Sequence, residues 1–390
     1  MGKLDFNNSR YAKFFADKEN QRFLQTFLDK KDIFFVNYGW YKTQGHNAPN
    51  PTPTDAAGLA TFTVKARKLE AAPMMDLRAP LGDSNQMDQN GLEFYSATIP
   101  DFIAPGYVET APERDYMVKQ YEEFGNDADI IAAWAQKVQK QMDSVDATMN
   151  FMTAQLMTKG SIDYTGIGRG IQMPLHKANI PSGNFMKCGT KAWAEADCRL
   201  LTQMKELERK YRDERGGYGG GLVWQMTRKT YYDVFLENVE VKELVKNYRY
   251  LHRIAYTDGM PVTAEEFNQA FVEFQGVSPI EIVTEKERNK TNTADQFVSG
   301  WDDKIVVLRP AGDAVEFERT NILDQRMIEK YGANAITTVF AKTNDGLGLL
   351  LNRTMDNGQF KEWHTDIMMS ACPALINFPN HVIIDITKKG

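Results

Sequence analysis

The chain has no apolar run approaching the roughly 18 residues of a membrane span, so no transmembrane segment is expected. Its three cysteines, Cys188, Cys198 and Cys372, are too few and too irregularly spaced for a disulfide framework, and free thiols in a reducing compartment are expected. Histidine is also sparse. None of His46, His176, His252, His364 and His381 stands four residues from another histidine or cysteine, which argues against a zinc site. Glycines cluster at 166–170 and 216–221, but no Gly-Lys-Ser/Thr follows and no helix opens after the first cluster, so a phosphate-binding loop is not expected. A Gly-x-Ser-x-Gly elbow is missing as well. No local pattern joins Cys188 or Cys372 to His176 or His364 as a nucleophile and base, and inert buried thiols are expected. The acidic pairs Glu122-Glu123 and Glu265-Glu266 read as helix or loop surface. No catalytic residue, cofactor or metal ligand is therefore expected, which shifts the weight to an assembly role. The net charge of −6 lacks the basic surplus of a protein that coats phosphates, although merely enclosing nucleic acid needs none.

What is present is ordinary for a large folded chain: 42% hydrophobic and 25% charged residues over 390 positions, enough for two subdomains or more. The first residues, Met1 to Phe6, lack the apolar core of a signal peptide, and Phe6 stands where a myristoylation signal wants Ser or Thr.

The strongest periodic signal runs from Asp127 to Lys159. Ile130, Trp134, Val138, Met142, Val145, Met149, Met152 and Leu156 recur every three or four residues, one apolar stripe of a helix, with Lys137, Lys140, Asp143 and Gln155 off the stripe. Asn126 and Asp127 are good cap types, and Lys159-Gly160 is a plausible stop. At 1.5 Å per residue this helix would be about 50 Å long, a spine for other elements to lean on.

Around the spine the chain reads in order. Residues 1–55 form an arm whose aromatics, among them Phe34, Phe35 and Trp40, need another surface to cover them. Leu59 to Glu70 and Leu92 to Pro100 read as two strands around a long polar tip, preceded by Met74, Met75 and Leu77: a hairpin extended from the body. Ser161–Tyr164 and Ile171–Met173 suggest a second, flexible hairpin or bent strand. Helices are predicted at 190–215, at Thr230–Asn238 and at Thr263–Phe274, the last opened by a Thr263-x-x-Glu266 capping box. Glu285–Asp295 reads as an exposed loop. Strands are predicted at 280–283, 304–308 and 315–317, and again at 335–342, 347–355, 360–369 and 381–386. The order gives an α+β chain whose C-terminal strands return to the long helix.

Four segments in this order resemble the major capsid proteins of tailed bacteriophages, in particular the family of the lambda capsid protein E. They are Ala71–Leu77, the helix end Thr153–Ile162, the helix Thr230–Asn238 with Val239, and the closing segment Cys372–Val382 with its Pro-apolar run and Pro-Asn turn. Each motif is loose, and the resemblance lies in their order and spacing from about residue 35 onwards.

The resemblance implies the Hong Kong 97-type capsid fold. In that scheme 1–55 is the N-terminal arm and 56–105 the extended loop. Residues 106–187, with the spine helix, form the first part of the peripheral domain; 188–320 form the axial domain, and 321–390 the second part of the peripheral domain. It further implies self-assembly into pentamers and hexamers of an icosahedral shell in a virion, assembled in the cytoplasm of a bacterial host. The shell would enclose dsDNA without reading its sequence. Implied partners are a separate scaffolding protein, since little chain precedes Ile33, and a portal; a decoration protein is a further candidate. Assembly would draw on Phe34, Phe35, Trp40, Met74, Met75 and Leu77, and the spine core on Trp134, Val138, Met142, Val145, Met149 and Leu156. Trp134→Asp would then abolish assembly. Cross-linking through Lys65 or Lys68 to Asn352 or Asn357 is not expected. An encapsulin-like compartment shell and, further off, an enzyme using the 215–221 glycines are the alternatives.

Overall fold

The structure is a computed structural model that describes residues 60–69, 92–103, 107–110, 127–164, 175–215, 217–254, 263–275, 278–283, 289–290, 297–298, 300–320, 338–342, 349–355 and 362–390, with positions 19 and 22. In chain order the elements are β1 (Thr61–Arg67), β2 (Leu92–Thr98), β3 (Asp101–Ile103), β4 (Tyr107–Thr110), α1 (Asp127–Lys159), β5 (Ser161–Ile162), β6 (His176–Lys177), β7 (Phe185–Cys188), α2 (Leu200–Asp213) and β8 (Leu222–Thr227). A π-helical turn (Thr230–Phe235) leads into α3 (Val239–Leu251), α4 (Ala264–Gln275), β9 (Ile280–Val283), β10 (Asn289–Lys290), β11 (Phe297–Val298) and β12 (Ile305–Pro310). The chain closes with β13 (Val315–Arg319), β14 (Thr338–Lys342), β15 (Leu349–Met355), β16 (Glu362–Leu375) and β17 (Val382–Lys389).

Helix α1 has the predicted bounds, but its second half departs from a one-sided stripe. Every residue from Met149 to Thr158 is buried, Asn150, Thr153, Gln155 and Thr158 included. A helix buried all round must satisfy its polar side chains locally. Thr153 and Thr158 do so by donating to the carbonyls one turn back, Met149 at 2.8 Å and Ala154 at 2.7 Å. Gln155, expected on the solvent side, accepts from the Asp163 amide at 2.9 Å instead. Gly160 ends the helix in the left-handed region at φ 67°, its N–H bonded to the Leu156 carbonyl at 2.9 Å. A Cβ at Gly300 would lie 2.4 Å from the Phe151 carbonyl oxygen, so the segment entering β12 passes this helix at a distance only glycine permits.

Two sheets flank the helix end. The first has strand order β7-β17-β12-β8-β9. Alternate residues on one of its faces (Trp224 and Met226, Val306 and Leu308, Ile384 and Ile386) join Met204 and Tyr211 of α2, Phe235, Val241 of α3, and Phe267 and Phe271 of α4 in one core. Fully burying each large side chain there contributes about 1.5–3 kcal/mol. The second sheet has order β13-β16-β15-β14, with β3 and β4 also paired to β16. Its long strand β16 packs against α1, which also touches β12 and β17.

Two helix expectations are corrected, and the strand pairing adds detail. Strands β16 and β17 both return to α1 as expected, but in different sheets: β17 inserts between β12 and β7. Its Val382-Ile383-Ile384 run is buried on both faces, as a central strand requires. The two sheets interleave along the chain, because β13 pairs with β16 and β17 with β12. The helix predicted at 190–215 begins only at Leu200, since the Trp193 amide is tied to the Ile386 carbonyl of β17 at 3.1 Å. The helix predicted at Thr230–Asn238 is a π-turn closed by Asn238, which caps the unexpected α3 by accepting from the Glu240 amide at 3.0 Å. Glu240 in turn caps α2 in trans, accepting from the amides of Leu201 at 2.9 Å and Thr202 at 3.2 Å. The Thr263/Glu266 capping box forms as predicted, with the Glu266 amide 3.2 Å from Thr263 Oγ1. Glu266 is not simply surface, though, because its carboxylate also holds buried Arg249 at 2.7 Å.

Candidate assembly site: the root of the hairpin

Strands β1 and β2 pair antiparallel from Thr61↔Thr98 to Arg67↔Leu92, the stalk of the predicted hairpin. Alternation sorts its two sides. Phe62, Val64, Ala66 and Tyr95 are buried, whereas Lys65 and Arg67 face solvent beside Phe94 and Leu92, which are 65% and 52% exposed. One side of the stalk is thus rooted in the body, and the other presents apolar and cationic groups outward.

The root is organised by the turn Phe378–Asn380, which joins β16 to β17 and so links the two sheets. Phe378 meets the Tyr95 ring edge-on at 5.1 Å, and Tyr95 Oη accepts from the Leu375 amide at 2.8 Å. Asn380 behaves as a short surrogate strand where β1 leaves its partner. Its Oδ1 accepts from the Leu69 amide at 2.7 Å, and its Nδ2 donates to the Arg67 carbonyl at 2.9 Å. The Asn380 carbonyl accepts from Tyr211 of α2 at 3.1 Å. His381 Nε2 sits 2.7 Å from the Met157 carbonyl of α1, which requires the proton on Nε2. Asn184 donates to the carbonyls of Pro379 at 2.9 Å and His381 at 3.0 Å. Arg215, 1% exposed, lies 3.7 Å over the Tyr211 ring and donates to Pro379.

The side chains at this junction are buried, and its titratable groups respond accordingly. Burial lowers both His176 and His381 to about 4, the bond to Met157 offsetting part of the effect at His381 and Arg309 adding to it. Burial raises the Tyr95 hydroxyl and the Cys372 thiol well above their usual ranges. His176 packs against Phe62 at 5.7 Å and Tyr95 at 6.0 Å, and neither ring nitrogen has a hydrogen-bond partner. Cys188, Cys198 and Cys372 are free and buried. Among the described residues no cluster of His, Cys, Asp and Glu is arranged to hold a metal ion, and no helix is long and apolar enough to cross a membrane.

Of the residues singled out from the sequence, Val145, Met149 and Leu156 lie in the core. Trp134, Val138 and Met142 fall within α1, but their side chains lie outside the described residues. Phe34, Phe35, Trp40, Met74, Met75, Leu77 and Asn357 lie outside the described residues altogether. Asn352 is in β15, opposite Val339 and Asp366. Sequence reading passed over Tyr95, Asn184, Tyr211, Arg215, Asn380 and His381 as a group. The one signal for them was the Pro-Asn turn itself.

No protein-family model matches the chain, and no curated protein is significantly similar to it. Solved structures are. A prophage protein of E. coli CFT073 described as a capsid protein superposes with a TM-score of 0.51 at 12% identity, over 94% of this chain and 98% of that one. A phage-related protein from Bordetella bronchiseptica RB50 gives 0.42 at 14% identity over 86% and 89%. The capsid of Ralstonia phage GP4 gives 0.40 at 11% identity over 91% of each chain. The first of these carries the fold: the chain has the Hong Kong 97-type capsid architecture, mixed helix and sheet, along nearly its whole length.

Proposed function

We propose that this chain is the major capsid protein of a tailed bacteriophage, self-assembling into pentamers and hexamers of an icosahedral head that encloses dsDNA. The observation that carries the reading is the fold likeness across 94% of the chain to a protein described as a prophage capsid protein. The hairpin root supports it physically: a stalk fixed to the body by Tyr95 and Asn380 holds Phe94 and Leu92 outward, where a monomer leaves them in water. On this reading the arm and hairpin residues Phe34, Phe35, Trp40, Met74, Met75 and Leu77 make contacts between copies. Residues 188–320 surround the ring axes, and scaffolding and portal proteins act in trans. Expression of the chain with negative-stain microscopy tests the proposal. Closed shells that admit DNA are the expected result, shells loaded with a cargo protein would favour a compartment instead, and a lone monomer at all concentrations would overturn both.

A further inference from the structure

Among the described residues the hairpin stalk joins the body without a backbone ladder. Strands β1 and β2 pair only with each other, and β6, which β2 touches, pairs only with β5. The bonds that cross the joint run through side chains. The Leu69 amide donates to Asn380 at 2.7 Å, Asn380 donates to the Arg67 carbonyl at 2.9 Å, and the Leu375 amide donates to Tyr95 at 2.8 Å. The backbone ladder to β16 begins only at β3, beyond Ile99 and Pro100. The stalk can therefore leave as a unit while both larger sheets keep their ladders. His176 works against this attachment. It is 2% exposed, covered by Phe62 of β1 and Tyr95 of β2, with neither ring nitrogen bonded. Buried polar groups are nearly always paired, and one left unpaired opposes the state that buries it. No charge compensates. Lys65 and Arg67 lie on the opposite side of the ribbon; Tyr95 faces the ring, and Glu93 shares its side of β2 one step nearer the tip. On β6 Lys177 is exposed, and on β5 the register partner is Ile162, with exposed Asp163 beyond it. Burial alone lowers the titration of His176, so none of these charges acts on it.

We propose that His176 makes this joint a latch: the stalk lifts off β6 while the rest of the fold holds, and a proton on His176 drives the lifting. Lifting brings water to both ring nitrogens and, once the ring is charged, solvates the imidazolium. The closed joint binds that proton more weakly than the open one. Closure is therefore favoured in full above pH 6.5, and the lifted state gains as the pH falls from there towards 4. By pH 5 the ratio of lifted to closed chains rises about 30-fold over its value at pH 7.5. The stalk that carries Phe94 and Leu92 outward then changes its aim without the chain unfolding. The latch is a property of a single copy and stands apart from whether copies assemble.

Hydrogen exchange on the full chain tests this at the two amides that bridge the joint, Leu69 and Leu375, with rates corrected for their intrinsic pH dependence. In the parent both should open about 30-fold more at pH 5 than at pH 7.5. In His176→Leu that gain should disappear, and likewise in His176→Phe, which keeps a ring against Tyr95. A urea series separates lifting from unfolding. Lifting exposes little surface, so the rates at Leu69 and Leu375 should barely respond to denaturant, whereas that at Val307 in β12 should climb with it. The same pH dependence in parent and variants would overturn the role of His176. One common urea dependence at all three amides would overturn the lifting, because the hairpin would then open only with the whole fold. Either failure leaves the capsid reading intact.

Discussion

Replacing Asn380 with alanine isolates what holds the hairpin to the body. The side chain makes two hydrogen bonds to backbone groups of a strand 311 and 313 residues away in sequence, at 2.7 and 2.9 Å. Both are part-buried, so the Leu69 N–H and the Arg67 carbonyl would be left without their partner. At about 1–2 kcal/mol for each such group, the loss is about 2–4 kcal/mol. The Tyr211 bond survives because it goes to the Asn380 backbone, so the damage is confined to the exit of β1. Hydrogen exchange on the purified chain reads this directly: the Leu69 amide should exchange about 30- to 700-fold faster, at a factor of ten per 1.4 kcal/mol. Amides of β8 and β12, in the other sheet, should be unchanged. Asn380→Asp keeps an acceptor for Leu69 but turns a carboxylate towards the Arg67 carbonyl, and should be no better than alanine. Unaltered exchange at Leu69 in the alanine variant would refute the claim that this amide roots the hairpin.

Acidification should weaken the same junction. His176 and His381 both have folded-state values of about 4, below the usual 6.5, so protonation favours the unfolded chain. Their neutral forms are accommodated in full above pH 6.5, and stability falls as the pH drops from there towards 4, by about 2 kcal/mol per histidine at pH 5. Urea unfolding at pH 7.5 and pH 5 measures this, and His176→Leu should remove about half of the decline without a penalty at pH 7.5, because neither of its ring nitrogens has a partner. A decline as steep as the parent's would assign it elsewhere. Gly160→Ala should cost about 1–3 kcal/mol, since a Cβ meets Ile180 Cδ1 at 2.8 Å and φ is 67°, and a thermal midpoint equal to the parent's would contradict that. Glu240→Ala should cost about 1 kcal/mol by uncapping α2 across the fold. Faster exchange at Leu201 and Thr202, with α3 itself intact, is the expected signature.

The parts of the fold legible in the sequence were those whose cause is local. Helix α1 announced itself through eight apolar residues in register, and Gly160 marked its end. The alternation of Phe62, Val64 and Ala66 identified β1, and Thr263 with Glu266 identified the start of α4. What stayed hidden depends on residues far apart in the chain. Nothing near Leu69 indicates that Asn380 pairs with it, and nothing near Leu200 indicates that its helix is capped by Glu240. Helix α3 escaped because its exposed face carries Val239, Tyr250 and Leu251, which blur the polar side of the period. Gln155 was misjudged because burial on all sides of α1 leaves no polar face for it to occupy. The Val382–Ile384 run was legible as a strand, but which sheet it joins is decided by β12 and β7, not by its own residues.

Sedimentation velocity on the purified full-length chain, across a wide concentration range, bears most directly on whether this protein is a shell subunit. A slow species giving way above a threshold concentration to a single fast, closed particle is the expected result. One slow monomer boundary throughout, in a chain whose hairpin exchange shows it fully folded, would contradict the account.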